Sequence, residues 1–200
     1  MLAMIVITAS MHVKNPADFA LINKCNTYNM KYLEDYSDAV NLIPKKYKDE
    51  MRKLGWEVNI VSNINKYLPK KAKHKKYILG VTYPYQRKIY VDGTRTEYYH
   101  DSVKNVFVHE FAHAIDYELN YPSVYEWTQY ETDEDLVELF AYGSEEYLNG
   151  VRLKKGDKHK RHEKLLYRIY TKKNYKKVNW KKFKFKKKIN KRTCFYTKVE

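Results

Sequence analysis

The sequence predicts an α+β fold. A short mixed sheet packs against one helix that carries two histidines and another that carries two glutamates, with a basic extension at the C-terminus. Three observations lead there. Segments with strand character, WEVNIV and KIYVDG, lie in the first half of the chain. Apolar residues at helical spacing dominate 103–115 and 133–148. The charge balance changes at residue 151: residues 151–200 hold 21 Lys+Arg against 3 Asp+Glu, or +18, which leaves the first 150 residues at −3 out of a total of +15.

Taken in order, Met4 to Ala9 of MLAMIVITAS reads as a first strand. NPADFALINKCNTYNMKYLEDYS is helical in part. Pro44 suits the first turn of the next helix, where a missing N–H costs nothing, and Tyr47, Met51 and Leu54 share one face of it. Gly55 ends that helix and WEVNIV alternates as a strand. KYLPKKAKHKK is a basic loop. YILGVTYPYQRKIYVDG reads as two strands around a turn, Tyr77 to Thr82 and Lys88 to Val91, closed by Asp92-Gly93. Asp101 or Ser102 caps a helix whose apolar contacts are Val103, Val106, Phe107, Phe111, Ala114 and Ile115. That helix stops near Asn120, because Pro122 disfavours helical geometry at Tyr121. YPSVYEWTQYE reads as an aromatic loop. Thr132 opens a capping box, and a helix runs from Asp133 to about Leu148, ended by Asn149-Gly150. The division is 1–150 for the body and 151–200 for the extension.

At 44% hydrophobic and 32% charged residues, the chain is neither fibrous nor wholly disordered. Its two cysteines, Cys25 and Cys194, stand far apart and support neither a disulfide framework nor a thiolate metal site. The apolar N-terminal stretch is short and lacks a basic leader, and no segment approaches the ~18 apolar residues of a membrane span. A cytoplasmic location is expected, with delivery by another route left open.

VFVHEFAHAID, residues 106–116, carries the chemistry. Residues four apart lie on one helical face, so His109 and His113 can offer two imidazole nitrogens to one ion. Zinc suits such ligands. Glu110 borders that face and can reach a water on the metal as general base. A catalytic zinc keeps three protein ligands and one open position. In DEDLVELFAY, Glu134 and Glu138 share a face. Glu134 is the expected third ligand and Glu138 the acceptor for the outer N–H of a ligating histidine, and the reverse assignment is also open. Asp116 is a further candidate to support the ligands from behind.

HEFAHAID followed by EDLVELFA resembles the glutamate-zincin metallopeptidases, in particular the catalytic domain shared by anthrax lethal factor and clostridial Pro-Pro endopeptidases. The likeness runs from about Met4 to Leu148. It implies a zincin-like domain, Zn2+ as cofactor, His109, His113 and Glu134 as ligands, Glu110 as base and Glu138 behind them. Two departures stand out. Ala112 replaces the family's usual glycine, and Trp127 occupies the place of a tyrosine that stabilises the oxyanion, leaving Tyr125 and Tyr130 as candidates. The regulatory peptidases that cleave phage and mobile-element repressors share a similar glutamate helix; the Ala-Ile-Asp after His113 favours the first family. The expected function is zinc-dependent hydrolysis of peptide bonds in a protein or peptide substrate, with the hairpin that ends at Val91 lying along the cleft by analogy.

In the extension, DKHKRHEKLLYRIY reads as a helix with Leu165, Leu166 and Ile169 available for docking. Beyond it, NYKKVNWKKFKFKKKINKR interleaves lysines with Tyr175, Trp180, Phe183 and Phe185. Lysines neutralise phosphates and aromatics stack on bases, so nucleic acid or an acidic surface is the partner class that this stretch suits. The alternative function is nucleic-acid binding by a chain whose zincin-like core is inactive. Oligomeric state cannot be read from the sequence.

Overall fold

The structure is a computed structural model. It describes residues 31–70, 72, 78–99, 101–127, 133–151, 157–172 and 175, and only the backbone at 125–127, 133–135 and 157–162. The expected first strand, both cysteines and the lysine-aromatic stretch after 175 lie outside the described residues. So do the side chains of Tyr125, Trp127, Tyr130 and Glu134.

The described elements are α1 (Leu33–Leu42), α2 (Lys45–Lys53), β1 (Glu57–Val61), β2 (Gly80–Tyr83), β3 (Lys88–Asp92), α3 (Gly93–Tyr98), α4 (Val103–Glu118), α5 (Pro122–Trp127), α6 (Asp133–Leu148) and α7 (Asp157–Thr171). The sheet is mixed, as expected, in the order β1-β3-β2. β1 runs parallel to β3 with Val58 opposite Ile89, and β2 runs antiparallel with Val81 opposite Tyr90. Gly55 adopts φ 77°, the left-handed geometry that lets α2 turn into β1. Among the described residues no helix is long and apolar enough to cross a membrane.

Side chains alternate across the sheet. Val58, Ile60, Ile89 and Val91 face the main core, with Phe107, Phe111 and Phe140. Val81 and Tyr83 join Ile64, Leu68 and Ile78 in a smaller cluster. α4 lies within the main core, and every residue from Val106 to Asp116 is buried. A helix wrapped on all sides needs apolar or paired residues all round, and VFVHEFAHAID is that kind of sequence. Tyr36 of α1 meets Phe107 edge-on at 5.3 Å between ring centroids. At the far end of α4, Glu118 Oε1 accepts from Trp56 Nε1 at 3.0 Å and from Arg87 Nε at 3.1 Å, which ties the helix to the sheet.

Two short helices were not expected. α3 begins where Asp92-Gly93 reads as the close of a strand. The buried Asp92 carboxylate caps it by accepting from Arg95 N, and also accepts from Ile64 N. α5 occupies part of the expected aromatic loop. Pro122 supplies its first residue, and a carboxylate seven residues upstream, Asp116, binds Ser123 N. The α3 cap is local but sits at an Asp-Gly pair that also reads as a strand end, whereas the Ser123 contact comes from the preceding helix.

The C-terminal helix forms where expected, and Leu165, Leu166 and Ile169 are buried in the main core. Tyr47 Oη and Lys46 Nζ both donate to the Ile169 carbonyl, at 2.6 and 2.7 Å, and Lys46 also reaches the Lys172 carbonyl at 2.5 Å. Tyr147 of α6 stacks on Tyr170 of α7 with centroids 5.8 Å apart. The basic composition therefore begins before the core ends. Leu166→Ala is expected to cost about 2–5 kcal/mol, as for other buried leucines, and a chain cut after Gly150 should melt well below the full chain. Chemical denaturation of both variants checks this.

Candidate metal centre

α4 starts at Ser102, whose hydroxyl accepts from Asn105 N at 3.4 Å, while Asp101 accepts from Ser102 N at 2.7 Å. Of the two candidates, Ser102 is the cap. The helix then carries His109 and His113 to the place where it packs against α6. Their Nε2 atoms are 3.2 Å apart. Oε2 of Glu138, on α6, lies 3.5 Å from His109 Nε2 and 3.4 Å from His113 Nε2.

These three groups can hold a metal ion. The donor set, two imidazole nitrogens and a carboxylate oxygen, suits zinc. Two ligands ~2.0–2.1 Å from one zinc at a tetrahedral angle lie ~3.3 Å apart, and the donor separations of 3.2, 3.4 and 3.5 Å match the edges of such a tetrahedron. Both imidazoles are fully buried, whereas the Glu138 side chain keeps 22% of its exposure.

The carboxylate of Glu138 lies among the donor atoms, the assignment that the sequence left open beside Glu134, whose side chain lies outside the described residues. The outer position is taken by a residue that sequence reasoning missed. Glu145 Oε2 lies 3.7 Å from His109 Nδ1, beyond hydrogen-bond length but well within ion-pair range. Its signal was available: seven residues past Glu138 is two helical turns, on the same face. Tyr142, between them, sets its ring edge-on to His109 with centroids 4.6 Å apart.

Electrostatics follow from this packing. Burial opposes charge on His109, yet the carboxylates of Glu138 and Glu145, with Glu110 close by, outweigh it and raise its pKa to about 9. Burial likewise opposes charge on Glu138, but the facing imidazoles of His113 and His109 hold it well below the usual carboxylate range.

Glu110 is fully buried and points to the sheet, where Thr82 Oγ1 donates to its Oε2 at 2.5 Å. It therefore sits between α4 and β2. Both strands of the expected hairpin pack against the histidine helix, β2 lies at the edge of the sheet, and all four of its residues are buried.

Asp116 is also fully buried, but its carboxylate accepts from Ser123 N at 3.1 Å and from Ser123 Oγ at 2.6 Å. Its bonds hold the start of α5 rather than the imidazoles. Ala112, the departure from the resembled motif, is buried in the main core, where a methyl group is accommodated.

Compared with models of known protein families, with curated proteins and with solved structures, the chain has no match.

Burial raises the Asp116 pKa from 3.8 to about 7, and the Ser123 bonds only partly offset it. An acid whose folded pKa lies above its unfolded value binds its proton more tightly when folded, so stability falls as pH rises between the two. Asp116 should therefore cost the fold up to about 4 kcal/mol between pH ~4 and ~7. Asp116→Asn, which keeps the shape and can still bond Ser123, should flatten that slope in urea unfolding measured across this range.

Proposed function

We propose that the chain is a zinc-dependent peptidase in which His109, His113 and Glu138 hold the metal and Glu110 is the general base. The observation that carries this reading is the set of three donor separations, each close to a tetrahedral edge, with the neighbouring carboxylate of Glu110 on the same turn of α4. The H-E-x-x-H order and the likeness to the glutamate zincins support it. Glu138 thereby takes the ligand role first expected of Glu134, and Glu145 the outer role first expected of Glu138.

Bound zinc supplies Lewis acidity, polarising a carbonyl and making a water more acidic. The chain supplies the rest. Glu110 takes the water's proton and passes it to the leaving amine. Tyr142 packs against the His109 ring, and Glu145 offers negative charge to its outer nitrogen, the arrangement that strengthens an imidazole ligand. α6 presents Glu138, Tyr142 and Glu145 along one face, so ligand and supports move as one body. Tyr125 and Tyr130 remain the candidate oxyanion donors on sequence grounds alone.

A second reading, a structural metal centre, is favoured by one observation: His109, His113 and Glu110 are all fully buried. Structural zinc sites have four protein ligands and no open position, so a probe that binds only at an open position separates the two.

Glu138→Ala should weaken zinc by more than the ~100-fold that loss of an outer partner causes, and Glu145→Ala by ~10–100-fold; competition with a chelator dye measures both. Because His109 holds a proton up to pH about 9, zinc must displace it, and affinity should rise from pH 6 to 9 with proton release on titration. Glu110→Gln should retain one zinc and lose at least ~100-fold in cleavage of labelled casein. Unchanged cleavage in that variant would refute the base assignment.

A further inference from the structure

The Glu110 carboxylate is not merely near the sheet; β2 is shaped to receive it. Thr82 is fully buried, and its hydroxyl lies 2.5 Å from Glu110 Oε2 and 3.2 Å from the Glu110 carbonyl. A hydroxyl has one proton, and the closer, carboxyl oxygen is the better placed acceptor. Two residues earlier, on the same face of the strand, stands Gly80. A methyl group there would meet Glu110 Oε1 at 2.5 Å, Cγ at 2.9 Å and Cδ at 3.0 Å, so the carboxylate fills the space that a side chain would occupy. No side chain other than hydrogen fits without moving Glu110. The strand's backbone geometry does not itself require glycine, since Gly80 has no positive φ.

We infer that Gly80 and Thr82 form a clamp that positions the Glu110 carboxylate, one holding an oxygen by a hydrogen bond and the other providing a notch for its partner oxygen. Both are positioning residues that act through Glu110, and the inference rests on the reading of Glu110 as the base of a metal centre. The two devices do different jobs. The hydroxyl fixes the carboxylate's rotation. The notch fixes its depth, because any Cβ at position 80 pushes it away from the strand. A base displaced by ~1 Å loses much of its effect, so the clamp sets how well Glu110 can take a proton from a group on the metal. Neither residue touches His109, His113 or Glu138 in any bond described above, so metal affinity should be indifferent to both.

Acetohydroxamate tests this without knowledge of the substrate. It chelates an open metal site, and as it binds its hydroxyl proton passes to a neighbouring base. Binding is read from the visible spectrum of the cobalt-substituted full-length protein. Thr82→Val, nearly isosteric, and Gly80→Ala should each weaken acetohydroxamate by about tenfold, the worth of a hydrogen bond to a charged group. Thr82→Ser should stay within about twofold of wild type, and all three variants should keep one cobalt with unchanged affinity. Loss of the probe in Thr82→Val with rescue in Thr82→Ser supports the clamp. Wild-type binding in both Thr82→Val and Gly80→Ala overturns it. Glu110→Gln separates the levels. If it weakens the probe while the β2 variants do not, the clamp alone is wrong; if it binds the probe as wild type does, the base reading fails and the clamp falls with it.

Discussion

Where α4 and α6 pack together, a carboxylate oxygen of Glu138 faces two imidazole nitrogens beside the aromatic and aliphatic side chains of the main core. A buried charge without a partner is expensive, and burial with a partner is tolerable only when the geometry is good. That constraint organises the neighbourhood. It requires α6 to lie against the histidine face of α4. It explains why Glu145 and Tyr142 share the face of α6 that carries Glu138. It also means that α4 cannot turn about its axis, because Glu110, one residue from His109, is engaged by Thr82 on the sheet side. The helix is held by polar contacts on two sides and by apolar packing elsewhere.

Asp116 extends the same pattern. The stretch from His109 to Asp116 holds four ionisable side chains, all fully buried. They meet three different elements: the histidines meet α6, Glu110 meets β2, and Asp116 meets the start of α5. α4 thus works as a hub whose polar residues specify the placement of its neighbours, while its phenylalanines and alanines supply the burial. Its weak amphipathic character is a consequence, since a helix wrapped on all sides has no solvent face to keep polar.

How far the chain could be read in advance depended on whether the deciding partner was close in sequence. The histidine helix, its Ser102 cap and its end near Asn120 were legible because caps and apolar spacing are local signals. The antiparallel pairing around Pro84–Gln86 and the end of α2 at Gly55 were legible for the same reason. α3 was missed because its capping Asp92, followed by Gly93, also reads as the end of a strand, and α5 because the carboxylate at its start, Asp116, belongs to the preceding helix. At the centre, spacing revealed that two glutamates share a face of α6. It left open which of them would stand beside the imidazoles, because that depends on how far one helix slides along another. Glu145 was passed over since two turns of helix look remote in a linear reading. Thr82 and Gly80 carry no signal in sequence beyond belonging to a strand.

The last described helix bears on how the centre is held. α6 lies between α4 on one side and α7 on the other, with Gly143 of α6 close enough that a methyl there would stand 3.3 Å from Leu166. α7 is itself held by Lys46 and Tyr47, more than 120 residues upstream. The helix that carries Glu138 is thus packed between the histidine helix and a helix of the basic C-terminal stretch, so its outer support comes from residues up to 171.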